Sequence, residues 1–497
     1  MDFDYLIVNS TNEFLEEYTA LSENARYKLT NFSGSTGDAL LTKDKIYLFV
    51  DGRYHAQADL EVDHSKVEVV KLQIGETFIG KLFEILPENI VLTLVSKKSS
   101  QERIENFEKF AKIKNIKINL INYDPVLQDE NITPKNNSID INLGLSTDEK
   151  IKVITKDLKE NESIFTANQE EISYLLNKRD FSKNYSSSVK KQKILISKNG
   201  FIKDFSSFNG QVYADKKTTN AFDFRQLKAK ALEINPIKEL KSVKTLAEIE
   251  HLKDCFSKAD KALFETRKFI EENDNISEFD IAEVLENNFY KTGAKGLSFK
   301  SIVAKDKNSA QAHYSKCSKD EILKDGSLIL IDCGAYYDGG LATDATRVFV
   351  KGTPTKLQKE VYTKVLKAFL NAITFNVTNS TTGFDIDKKA RDILNEIKPE
   401  GFEFSHSLGH GIGISVHENP PSLSPSEMGK TILKPYMCFT IEPGLYNEKY
   451  FGVRLENSCY LDTDNKIHSF SNMCFEEKLI DYSILTDNEK EVLSQWI

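Results

Sequence analysis

Five residues of the types that ligate hard cations fall in the last third of the chain, each inside a short motif. They are Asp332 in LILIDCGA, Asp344 in LATDATRVF, His410 in HSLGHGIG, Glu442 in FTIEPGLY and Glu456 in GVRLENS. Four carboxylates and one imidazole suit two divalent cations sharing a site. Such a pair generates hydroxide at neutral pH and clamps both ends of a displacement, so the chemistry expected is that of a metallohydrolase. Any one motif by itself reads as a turn or cap residue. The combination is different, because apolar strands rarely end in acids when burying an unpaired carboxylate is expensive. Here that happens repeatedly, with a glycine-flanked His between two pairs of acids.

The elements that must position these residues can be read locally. Residues 327–333 (SLILIDC) are an apolar, β-branched run and read as a strand; 341–350 read as another. Between them Tyr337-Asp338-Gly339-Gly340 is a turn signal, and the midpoint of 332 and 344, residue 338, lies inside it. A hairpin closing there would set Asp332 and Asp344 opposite each other, as neighbours. The pattern recurs downstream: 436–442 read as a strand stopped by Pro443-Gly444, and 452–461 as its partner. The midpoint of 442 and 456 is 449, in the polar stretch Asn447-Glu448-Lys449. Arg454 and Glu456, two apart, share a strand face.

These motifs resemble those of the pita-bread metallopeptidases, the family of methionine aminopeptidase, prolidase, creatinase and aminopeptidase P, which carry Asp, Asp, His, Glu, Glu in this order. The resemblance is to aminopeptidase P (Xaa-Pro aminopeptidase) of the three-domain type, and it covers most of the chain. GLSFKSIVAKDKNSAQAHYS (296–315) resembles the segment before the first metal Asp. LTNFSGSTGDALLTKDKIYLFVDGRYHAQA (29–58) resembles the amino-terminal domain, and CFEEKLIDYSILTDNEKEVLSQW (474–496) the carboxy-terminal extension. Two departures stand out. The two Asp residues are one residue further apart than is usual in the family, with the extra residue in the Tyr337–Gly340 turn. NKRDFSKNYSSS (177–188) is more polar than the corresponding family segment.

The chain has 497 residues, 40% of them hydrophobic, and a net charge of −9, with pI near 5.6. That length implies several domains, and the acidity argues against nucleic acid as the main partner. Met1-Asp-Phe-Asp lacks the basic start and apolar run of a signal peptide, and no stretch approaches the roughly 20 apolar residues of a membrane span. Six cysteines, all in the second half and without a CxxC pair, fit reduced thiols in a cytoplasm. Three blocks emerge. Residues 1–122 alternate helical (FLEEYTALSENARY) and strand patterns. A Pro/Asn/Asp-rich linker at 122–138 opens a second block, 123–236, with helices near 147–159 and 169–177 and a strand near 193–197. A long periodic helix at 246–272 begins the third, 237–497. The fold class expected is α/β (α+β): by resemblance, two creatinase-like domains ahead of a pita-bread catalytic domain.

The resemblance implies the remaining roles. His410 is the metal-binding histidine. His313 and His417 face the scissile carbonyl, and His406 lines a proline pocket; for each, the bland alternative is a hydrogen-bonded loop histidine. His55, His64, His251 and His468 read as surface residues. Manganese is the expected metal, since carboxylates with one imidazole and no thiolate suit hard or borderline ions, with cobalt or zinc able to occupy the site. A hydroxide shared by the two ions would attack the carbonyl before proline, with Glu442 also as general base. Arg454, with Tyr446, would orient Asp332, or form a cross-strand ion pair, and both can hold. Arg53 would reach a partner subunit's site or pair with Asp51. The expected substrates are peptides with proline second, cleaved by a cytoplasmic homodimer that binds neither nucleic acid nor membrane. The rivals are a prolidase restricted to dipeptides and a non-catalytic binding relative; creatinase-type chemistry needs no paired metals.

Overall fold

The computed structural model describes residues 3–73, 75–127, 137–202, 204–205 and 208–497. Residues 128–136, most of the expected 122–138 linker, lie outside them. The chain divides into two compact units. The first comprises Met1–Asn136, Thr147–Leu176 and Val189–Ile237; the second comprises Asn137–Ser146, Asn177–Ser188 and Lys238–Ile497. Among the described residues no helix is long and apolar enough to cross a membrane.

The first unit holds two sheets. One has six strands in the order Val67–Lys71, Ile46–Val50, Asp38–Thr42, Tyr5–Asn9, Val91–Val95, Lys117–Ile121. The other has five, with Glu162–Thr166 at its centre. The helical pattern expected over 14–27 is interrupted. Leu15 takes a positive φ of 57°, and only the Leu21–Glu23 turn and the Ala25–Thr30 helix form. Asn24 restarts the helix by accepting a hydrogen bond from Tyr27 N on its side chain, the usual role of Asn at an N-cap.

The second unit is built on an antiparallel sheet. Its strands run in the order Ile302–Lys305, Leu328–Cys333, Ala345–Val350, Glu456–Leu461, Cys438–Ile441. Successive residues of the Leu328–Cys333 strand point to opposite faces and enter two different cores. Ile329, Ile331 and Cys333 pack against Cys255, Leu263, Ile281 and Phe289 of the Leu246–Glu272 and Glu278–Lys291 helices. Leu328 and Leu330, with Val348 and Val350, pack against Val361, Phe369 and Ile386 of Lys356–Ile373 and Gly383–Ile397. With helices on both faces the whole strand is buried, which is why it reads as a continuous apolar run. The Leu246–Glu272 helix spans the residues its periodicity outlines and starts at a Thr245/Glu248 capping box. Phe475, Leu485 and Trp496 bring the carboxy-terminal segment into the second of these cores.

Both hairpins form, one of them in a different register from that expected. Ile441 pairs with Asn457 and Gly444 with Arg454, a register that sets Glu442 across from Glu456 as read from the sequence. In the first hairpin Asp332 pairs with Thr346 and Cys333 with Ala345, so Asp344 is a diagonal neighbour of Asp332 rather than its direct partner. Gly340 N bonds Tyr337 O, and Gly340 takes a positive φ of 62°. The turn therefore carries an extra residue on its C-terminal side, Tyr336 bridges Ala342, and regular pairing begins only at Ala345. The shift is two residues, so both aspartates keep the same face; a one-residue slip would have turned one away.

Candidate metal centre

The site is a row of side chains across the sheet. Asp332 stands opposite Thr346, Thr346 opposite Glu456, and Glu456 opposite Glu442. His410 enters from outside the sheet, on the two-residue strand Gly409–His410. The flanking glycines are needed for close approach: a Cβ on Gly409 would lie 1.9 Å from Thr440 O, and one on Gly411 would lie 1.9 Å from Glu418 O. His410 N bonds Thr440 Oγ1 at 3.1 Å, docking the imidazole over the acids. Its Nε2 is 3.6 Å from Asp344 Oδ2 and 3.5 Å from Glu442 Oε1. Ligand atoms of Asp344, His410 and Glu456 all lie within 4.8 Å of one another. The five ligand-type residues found by sequence thus converge.

The donor set fits divalent cations on three counts. His410 Nδ1 donates to Gly411 O at 3.0 Å, which makes Nε2 the ring nitrogen that faces the acids, the arrangement a metal-binding histidine uses. Asp332 Oδ1 and Asp344 Oδ1 are buried with no hydrogen-bond partner among the described residues, a costly state unless something positive meets them. The acids also repel one another. Burial and the neighbouring carboxylates hold the Asp344 and Glu442 carboxyls well above their usual range, and burial with the Asp332 charge pushes Glu456 up to about 8. Divalent cations would relieve both burial and repulsion.

A neutral and a cationic partner brace the acids. Thr346 Oγ1 donates to Glu456 Oε2 at 2.7 Å and accepts from Arg454 Nε at 3.2 Å. Arg454 donates to Asp332 Oδ2 at 2.6 Å and to Tyr446 OH at 2.8 Å, so it orients Asp332 and is a cross-strand ion pair at once. Arg347, fully buried, donates to the carbonyls of Thr346 at 2.9 Å, Glu456 at 2.7 Å and Met473 at 2.7 Å. It thereby ties two strands of the site to the carboxy-terminal segment. Thr346 and Arg347 escaped the sequence reading. Their signal was their position directly after the Asp344 motif residue, in DATR.

The other histidines surround this row. The His417 ring meets the His410 ring edge-on, centroids 4.5 Å apart. Glu418 beside it is buried between Lys241 Nζ at 2.8 Å and Lys244 Nζ at 2.7 Å and accepts from Ile414 N. The two ammonium groups hold its carboxyl down, at about 2, against the burial that opposes them. His406 Nδ1 donates to Ser407 O, its Nε2 accepts from Tyr446 OH at 2.7 Å, and its ring is 3.9 Å from Glu442 Oε2. His313 follows Ala312, whose carbonyl accepts from Arg454 at 3.4 Å. Arg53 belongs to the first unit, where its Nη2 lies 2.7 Å from Asp51 Oδ2. Among the residues read as surface histidines, His251 is half-buried: a Cβ on Gly339 would touch its ring, and its Nε2 is 3.3 Å from Cys255 Sγ. All six cysteines are free, four of them buried.

Residues 250–463 match the model of metallopeptidase family M24. The chain is 27% identical to a probable Xaa-Pro aminopeptidase P of Coprinopsis cinerea, covering 99% of this chain and 91% of that one. It is also 27% identical to Xaa-Pro aminopeptidase 1 of Dictyostelium discoideum, covering 99% and 88%. Among solved structures, the X-prolyl aminopeptidase of Caenorhabditis elegans, described as a cytosolic enzyme with a di-nuclear active site, shares the fold: TM-score 0.83, 20% identity, 99% of this chain and 92% of that one.

Proposed function

We propose that the chain is a pita-bread metallopeptidase of family M24, in the aminopeptidase P group, and that it releases the amino-terminal residue of peptides whose second residue is proline. The observation that carries the reading is the cluster of Asp344, His410 and Glu456, with Glu442 beside His410, Asp332 across Thr346 from Glu456, and two buried aspartate oxygens without a hydrogen-bond partner among the described residues. Two bound divalent ions would supply Lewis-acid polarisation and a hydroxide nucleophile at neutral pH.

The chain's own residues divide the remaining work. Glu442 takes the nucleophile's proton and passes it to the leaving proline nitrogen. Its Oε1 lies 3.5 Å from Thr440 Oγ1. His313 and His417 donate to the oxygen of the attacked carbonyl. His406, held by Tyr446, lines the pocket for the proline ring. Arg454 keeps Asp332 in one orientation. Arg53 is assigned a second role beyond its Asp51 pair, at the site of a partner subunit. Manganese is the proposed native metal, since no thiolate joins the donor set. A cytosolic homodimer is proposed with it; the six free cysteines support a reducing compartment.

One assay tests the reading. Purified protein with manganese is given Ala-Pro, Ala-Pro-Ala and Ala-Ala-Ala, and released alanine is quantified. Ala-Pro-Ala should be cut at least as well as Ala-Pro, and Ala-Ala-Ala poorly. Cleavage of Ala-Pro alone would make the protein a dipeptidase, and equal cleavage of Ala-Ala-Ala would remove the proline specificity. Elemental analysis of protein purified without added metal identifies the native ion, and light scattering of the eluting protein gives the subunit number.

A further inference from the structure

Glu278 is a buried carboxylate with no basic side chain paired to it among the described residues, and it lies outside the row of acids. It is fully inaccessible and opens the Glu278–Lys291 helix, where the helix dipole favours a negative charge. Its two oxygens accept four hydrogen bonds, all from one loop: Lys305 N at 2.6 Å, Asn308 Nδ2 at 2.9 Å, Tyr314 OH at 2.7 Å and Ser318 N at 3.0 Å. Burying an ion is costly unless its acceptors are filled, and here they are filled by the start, the middle and the end of the loop that carries His313.

The path of that loop explains why a clip is needed. The Ile302–Lys305 strand runs antiparallel to Leu328–Cys333, with Ile302 opposite Asp332 and Lys305 opposite Ile329. The chain therefore leaves the sheet at the end away from Asp332. It must travel back before Ala312 can offer its carbonyl to Arg454, the residue that also holds Asp332. On the way it is pinned at Asp306, whose carboxylate accepts from Ser327 Oγ at 3.1 Å and Leu328 N at 2.8 Å, and at Ser309, whose hydroxyl donates to Gly452 O at 3.0 Å and accepts from Gly452 N at 2.9 Å. Compact loops of this kind owe their shape to bonds that bring their ends together. Glu278 supplies these, holding Lys305 and Ser318 on one carboxylate while Tyr314, the neighbour of His313, is fastened to the same group.

We propose that Glu278, acting through Tyr314, is a positioning residue for His313: it fixes the 305–318 loop so that the imidazole is presented to the row of acids. The inference rests on the reading of His313 as a group facing the scissile carbonyl. Misplacing a reacting group by about 1 Å can cost about 10²-fold in rate, so E278Q should lower kcat by about 10- to 100-fold. KM for Ala-Pro-Ala and bound manganese should stay within about twofold of wild type, because the ligands are on other elements. A residue that acts only through His313 has nothing left to lose once that side chain is gone. In the H313A background E278Q should therefore lower kcat by no more than about twofold.

Tyr314→Phe removes one hydroxyl and keeps the ring, and it carries the same double-mutant comparison should E278Q fail to fold. Losses that add in full in the H313A background, or metal content falling in step with kcat, would overturn the positioning role while leaving the aminopeptidase reading intact. H313A turning over like wild type would overturn both this inference and the role given to His313.

Discussion

Thr346→Val is the sharpest perturbation of the site, because it changes neither charge nor, appreciably, volume. The Thr346 hydroxyl is fully buried, donates to Glu456 Oε2 at 2.7 Å and accepts from Arg454 Nε at 3.2 Å. Valine fills the same space and removes both contacts, leaving Glu456 one fewer donor and the guanidinium one fewer acceptor. A hydrogen bond to a charged group contributes about 1.5–3 kcal/mol. At about 1.4 kcal/mol per decade that predicts manganese binding weaker by about 10- to 150-fold, in the range seen when the partner of a metal ligand is lost. The same bond helps keep the Glu456 carboxyl from rising even further, so the variant should also bind metal more steeply with pH. Calorimetric titration of chelated, dialysed protein with manganese at two pH values measures both, and circular dichroism confirms that the variant is folded. At saturating manganese kcat should recover to within a few-fold of wild type. A folded variant with wild-type affinity and a permanently lowered kcat would refute the argument that Thr346 acts by orienting a metal-binding acid.

Three further outcomes are expected. Glu442→Gln should lower turnover by at least about 10³-fold in steady-state assays, since it removes a ligand and a proton carrier together; a loss under tenfold would move the base elsewhere. His417→Ala should lower kcat by about 10²-fold with manganese content unchanged by elemental analysis; parallel loss of metal would make His417 a ligand. The third concerns pH. Glu456 is raised from 4.5 to about 8 in the folded, metal-free protein, and Asp344 and Glu442 are raised too. The folded state then binds more protons than the unfolded chain between those values, so stability is full below about pH 4.5 and is lost as pH rises through about 8. The slope is about 1.4 kcal/mol per pH unit for each such group. Melting curves of the chelated protein should shift down across this window, and manganese should flatten the trend; a chelated melting temperature that rises with pH would refute it.

Local pattern was enough for several parts of the molecule. The residue types of the five ligand candidates, the apolar run ending in Asp332 and the periodicity of 246–272 are each written in a short stretch of chain. So is the second hairpin, where Pro443-Gly444 and a polar connection centred on residue 449 leave one register that keeps the apolar positions inside. The first hairpin was legible to its face but not to its register, because one glycine at positive φ lengthens the turn without changing the alternation on either side. What no window of sequence contains is the pairing of residues far apart in the chain. Thr346 looks like any strand threonine until Asp332 and Glu456 flank it. Arg347 reads as a charged residue out of place in an apolar strand until three carbonyls and Asn457 close around it. Glu278 looks like an ordinary acid in the first turn of a helix until the loop carrying His313 folds back onto it. Short-range periodicity decides which residues can form a strand, a turn or a ligand pair. Only packing decides which polar side chain ends up buried beside them, since a buried polar group must be satisfied by whichever donors and acceptors the folded chain brings within reach.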